Sequence, residues 1–119
     1  MKTAITLLSI VAFVSAISVL RAGAETESLT VTAFVENQTC MGGDFVRVNF
    51  TATATSSSNP VGFRWDFNND GRFDTQLSTN PDATRIFPDE TSVTATVGAL
   101  NREGNRARDS ITFGTLRCE

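Results

Sequence analysis

Trp65-Asp66-Phe67-Asn68-Asn69-Asp70-Gly71-Arg72-Phe73-Asp74 is the stretch that decides how this chain is read. Phe63 stands just upstream, so Phe63, Trp65 and Phe67 recur at every second residue. In an extended strand that spacing puts all three rings on one face. Trp65 is the single Trp of the chain and is the expected core anchor. Asn68-Asn69-Asp70-Gly71 then concentrates residues that accept tight or left-handed backbone, which predicts a reversal of direction. Asp66, Asn68, Asp70 and Asp74 supply oxygen donors on the opposite face and in the turn.

Outward from this strand the same alternation repeats. Leu29, Val31, Ala33 and Val35 alternate with Thr30, Thr32 and Phe34. Asn37 to Asp44 carries Cys40 and a Gly42-Gly43 turn. Val46, Val48, Phe50 and Ala52 alternate with Arg47, Asn49, Thr51 and Thr53, so a slip of one residue would send Arg47 inward. Ser56 to Pro60 reads as a loop, Gly62 to Phe67 as the central strand, and Thr75 to Asp82 as a polar stretch turning at Asn80-Pro81. Thr84 to Phe87 is a short strand stopped by Pro88. Val93, Ala95, Val97 and Ala99 point inward from Ser92 to Leu100. A charged hairpin loop over Asn101 to Arg106 leads to a closing strand, Arg108 to Thr115, carrying Ile111 and Phe113. After residue 25 no apolar spacing of three and four suggests a helix. Short alternating segments separated by turns predict an all-β antiparallel sandwich.

Residues 1–24 have the pattern of a secretory signal. Lys2 precedes an apolar run from Ala4 to Leu20, and Ala22-Gly23-Ala24 offers a small-x-small cleavage site. The competing reading is an uncleaved anchor, against which Thr6, Ser9, Ser15 and Ser18 dilute the run. The expected division is a signal peptide over 1–24 and one domain over 25–119, since 119 residues suit one core and not two. The expected location is outside the cytoplasm: secreted, periplasmic or at the cell surface, with no stable membrane insertion once the signal is removed.

Without Lys2 and Arg21, eight basic residues face 13 acidic ones, a net charge of −5. Such a surface repels phosphate, so nucleic acid is a poor partner. Arg102, Arg106 and Arg108 cluster at one loop and read as a solvated hairpin tip. In an oxidising compartment Cys40 and Cys118 pair by default; two free thiols or an intermolecular bridge are the alternatives. The chain has no His and no Tyr, which removes Ser–His, Cys–His and His–metal chemistry. An acid–base pair such as Asp66 and Asp70 would need a cleft that a small sandwich hardly offers. We expect no enzyme. Asn37-Gln38-Thr39 and Asn49-Phe50-Thr51 match the N-glycosylation pattern, which matters in a eukaryotic secretory pathway.

Three segments together resemble a known family. G-G-D-F-V-R-V-N-F-T-A at 42–52, W-D-F-N-N-D-G-R-F-D at 65–74 and R-I-F-P-D-E-T-S-V-T-A-T-V at 85–97 look like a PKD (polycystic kidney disease) domain, over about residues 29–115. The resemblance implies an immunoglobulin-like sandwich of about seven strands. It also implies a non-catalytic module that contacts protein or carbohydrate at the cell exterior. A structural envelope module without a high-affinity ligand is the alternative. The departures are Asn68-Asn69 in place of the family's Gly after W-D-F, Phe87 in place of Tyr, and Asp89-Glu90-Thr91 where a Gly follows the Pro. In such sandwiches the first and last strands run parallel and adjacent, which would bring Cys40 to Cys118.

Asp66, Asn68, Asp70, Gly71 and Asp74 also fit positions 1, 3, 5, 6 and 9 of an EF-hand-type loop, with Arg72 offering a backbone carbonyl. Calcium is the ion such oxygens suit, and some members of the resembling family hold calcium in this region. Position 12, where a bidentate carboxylate belongs, is Leu77. The competing reading spends Asp66 on strand and turn amides, with Asn68 to Gly71 simply making the turn.

Overall fold

A computed structural model describes residues 28–119. The expected signal over 1–24 and its helix lie outside the described residues. Six strands form: β1 (Leu29–Cys40), β2 (Phe45–Ser56), β3 (Gly62–Asp66), β4 (Ala83–Pro88), β5 (Ser92–Leu100) and β6 (Arg106–Gly114). They make two three-stranded antiparallel sheets, ordered β1-β2-β4 and β3-β5-β6.

Alternation dictates which side chains enter the space between the sheets. Val46, Val48, Phe50 and Ala52 of β2 are buried, as are Phe63 and Trp65 of β3 and Val93, Ala95, Val97 and Ala99 of β5. Phe50 sits at the centre. Its ring centroid lies 5.3 Å from that of Trp65, 5.4 Å from Phe67, 5.7 Å from Phe113 and 6.2 Å from Phe87. Tilted and edge-to-face pairs suit the ring quadrupoles. Trp65 is 2 % exposed, and its indole N–H donates to the Pro81 carbonyl at 3.3 Å. Truncating such a ring typically costs about 3–5 kcal/mol.

Two expectations change. About seven strands were expected, and six form among the described residues. The polar stretch 75–82 contributes one isolated bridge, Phe63 to Ser78, and otherwise crosses the sheet as a loop. Its Ser, Thr, Asn and Pro residues satisfy their backbone locally: Ser78 Oγ accepts from Asn80 N, and Asn80 Oδ1 from Asp82 N. The first strand runs on to Cys40, where an earlier turn was expected. A shift in pairing between Val35 and Asn37 absorbs the change of register.

β1 and the last strand run side by side in the same direction, but in different sheets and without a backbone ladder. Side chains join them. The Asp109 carboxylate accepts the Ala33 N–H at 2.8 Å. The Gln38 amide donates to the Gly114 carbonyl at 3.2 Å and accepts from the Leu116 N–H at 2.9 Å. The Cys40–Cys118 disulfide closes the same seam, with Cα atoms 5.7 Å apart and a sequence separation of 78.

Candidate ligand-binding site

The outer face of β3-β5-β6 is built in cross-strand rows. Arg64, Gly98 and Arg108 pair in one row, Gly62, Leu100 and Arg106 in the next, and Asp66, Thr96 and Ser110 in a third. The segment after β3 folds back over these rows and sets one side chain on each. Leu77 lies on Gly62, Phe73 on Gly98, and Asn69 on Thr96, whose hydroxyl donates to Asn69 Oδ1 at 3.2 Å. The two glycines are seats. A Cβ at Gly98 would stand 2.6 Å from Phe73 Cζ, and one at Gly62 would stand 2.8 Å from Leu77 Cγ.

The acidic residues of the turn hold that segment in shape. Asp66 is buried. Its Oδ1 accepts the Asn68 and Asp70 N–H groups at 3.3 Å each, and its Oδ2 accepts the Gly71 N–H at 2.9 Å. Asp70 Oδ1 accepts the Arg72 N–H, and Asp74 Oδ2 accepts the Phe67 N–H at 2.8 Å. The Asp74 N–H donates back to the Trp65 carbonyl at 2.7 Å. Asn69 and Gly71 take positive φ, 55° and 89°, as Asn and Gly accept most readily. Asn68 is exposed. The four expected metal-binding residues therefore share one corner, and three of them bond its backbone amides. Among the described residues no three His, Cys, Asp or Glu side chains gather closely enough to hold a metal ion.

Delivered to Gly98, the Phe73 ring meets two arginines from the neighbouring strands. Arg64 Cζ lies 4.2 Å from the ring centroid and Arg108 Cζ 5.8 Å. Each such contact is worth about 0.5–1 kcal/mol at an exposed site. Beside the ring opens a cleft of about 260 Å³, lined by Arg64, Phe73, Leu77, Leu100, Arg106 and Arg108 among others. A second opening shares Leu77 and Leu100 with it and adds Arg102. Among the described residues, Arg117 alone lies within ion-pair distance of carboxylates, Glu90 at 3.6 Å and Glu119 at 3.7 Å. No described carboxylate lies within ion-pair distance of Arg64, Arg106 or Arg108.

Compared with family models, curated proteins and solved structures, the chain finds no match.

Sequence reasoning read Arg102, Arg106 and Arg108 as a solvated hairpin tip, and all three are exposed. It gave Phe73 no role, whereas the ring lies between Arg64 and Arg108. One signal was present: Gly98, a glycine inside an otherwise regular alternating strand, marks a close approach by another group. Nothing in the sequence named Phe73 as that group. The two asparagines of the glycosylation pattern pair across β1 and β2, with Asn49 Nδ2 donating to Asn37 Oδ1 at 2.7 Å. Asn49 also accepts from the Thr84 hydroxyl at 2.8 Å.

Proposed function

We propose that this chain is a small exported, non-catalytic binding module of the PKD type, contacting protein or carbohydrate at the cell exterior through the outer face of β3-β5-β6. The observation that carries this reading is the Arg64–Phe73–Arg108 arrangement beside an open cleft. Here a sheet whose inner face is filled by core carries an aromatic ring and planar charged donors on its outer face, the mix that binding sites favour.

The finer fold assignment is part of the same proposal. The order β1-β2-β4 against β3-β5-β6 corresponds to A-B-E against C-F-G of an immunoglobulin-like sandwich, with the buried Trp on strand C. The W-D-F turn and the 85–97 segment supply the likeness to PKD domains. A disulfide across the seam between sheets suits an oxidising compartment, and the signal pattern of residues 1–24 suits export.

The test is an array of neutral and acidic glycans, with immobilised extracellular proteins alongside, probed by the wild-type chain and by Arg64→Gln/Arg108→Gln. Binding that the double variant loses supports the reading. An array without binders, together with a mass that grows with concentration in light scattering, would replace it with a self-associating structural module.

A further inference from the structure

We propose that the cleft beside Phe73 takes an acidic saccharide, a sugar unit bearing a carboxylate or a sulfate. The inference rests on the binding-module reading and names its ligand class. Charge comes first. The chain is net acidic, at −3, yet three arginines converge here and no carboxylate lines the cleft. That local reversal draws an anion to this face.

Arginine geometry narrows the anion. Arg64 Cζ lies over the Phe73 ring at 4.2 Å, and a guanidinium is a planar fork of N–H donors. Such a fork matches the paired oxygens of a carboxylate or sulfate. All three arginines stand on strands, Arg64 on β3 and Arg106 and Arg108 on β6. The sheet register therefore sets the spacing of their backbones before a ligand arrives.

Size and surroundings favour a sugar. The cleft measures about 260 Å³, slightly under the ~300–1,000 Å³ of sites for drug-sized ligands. That suits one ring with its chain continuing into solvent. Leu77 and Leu100 offer an apolar wall for the C–H face of the ring. An acidic peptide can also meet an arginine cluster through its carboxylates, but it brings no flat C–H face to the apolar wall, and poly-L-glutamate is therefore the competing ligand in the test.

The experiment is calorimetric titration of the protein, at low and then physiological salt, with oligogalacturonate, a heparin-derived oligosaccharide, neutral dextran and poly-L-glutamate. At least one of the first two should bind, more weakly as salt rises; binding of oligogalacturonate shows that carboxylates suffice, and binding of the heparin fragment alone, which carries both groups, assigns the sulfates. Arg64→Gln/Arg108→Gln should weaken that binding at least about tenfold. Arg47→Gln/Arg117→Gln removes the same charge elsewhere and should leave it within about twofold. Circular dichroism confirms that both variants keep their strands. Equal binding of poly-L-glutamate, equal loss in both double variants, or no binding of either acidic saccharide would overturn the proposal. A neutral glycan or a protein bound instead would remove this inference and leave the binding-module reading standing.

Discussion

Phe73 lies on Gly98 so closely that the glycine leaves no room for a Cβ: one placed there would stand 2.6 Å from Phe73 Cζ and 2.9 Å from Cε1. Phe73 comes from a loop and Gly98 from the middle strand of a sheet. Their fit couples the turn after the Trp strand to the spacing of the arginines on either side.

Gly98→Ala should therefore be destabilising, although alanine normally suits a strand interior better than glycine. The methyl must displace the ring, at a cost of about 1–3 kcal/mol typical of overpacking. Urea denaturation measures the loss, and near-ultraviolet dichroism should report a changed aromatic environment. Stability equal to or above the wild type would show that Phe73 does not rest there in solution.

Asp66→Ala removes the acceptor for the Asn68, Asp70 and Gly71 amides. The expected cost is about 2–3 kcal/mol, because charged acceptors make the stronger hydrogen bonds. The same corner decides the calcium question. A site held at a hundred times its Kd would add about 2.7 kcal/mol of stability. We expect millimolar calcium chloride to produce neither heat in calorimetry nor a rise in Tm, since Asp66, Asp70 and Asp74 already bond backbone amides. A clear rise in Tm that Asp66→Ala abolishes would reverse that expectation.

Cys40 and Cys118 are 78 residues apart. Closing a loop of that size removes enough unfolded-chain entropy to contribute up to about 4.5 kcal/mol. Denaturation with and without a phosphine reductant should differ by a large part of that amount. A difference under about 1 kcal/mol would mean that the seam between the sheets holds by side chains alone.

Asp109→Ala isolates one of those side-chain links. It leaves the Ala33 N–H without its acceptor in a partly buried position, which costs about 1–3 kcal/mol. Hydrogen exchange at Ala33 should accelerate, while amides of the β2–β4 pairing keep their protection. Uniform acceleration across both sheets would point to global destabilisation instead.

Much of the fold was legible because alternation is a local signal. Val46, Val48 and Phe50 on one strand and Val93, Ala95 and Val97 on another each announce a buried face through period two, and the structure buries them all. Ser92–Leu100 was bounded correctly by its alternation. The polar stretch 75–82 was less readable, because a loop and a short edge strand share its composition. β1 ran past its expected end since a bulge restarts the alternation after Val35.

The candidate site was legible only in fragments. Asp66 and Asp74 could be recognised as oxygen donors, but whether they hold an ion or the chain's own amides depends on where the loop N–H groups point. Arg108 looked like an ordinary surface charge because its neighbour, Phe73, is more than thirty residues away in sequence.

From the sequence alone came the extended strands, the inward set of side chains, the Trp anchor and the sharp turn after it, since each depends on residues within a few positions of one another. Tertiary structure decided that a loop phenylalanine would land on a strand glycine, that arginines from β3 and β6 would flank it, and that Asp109 and Gln38 would close the seam. Those arrangements depend on how two sheets and a returning loop stack in space, and no local periodicity encodes that.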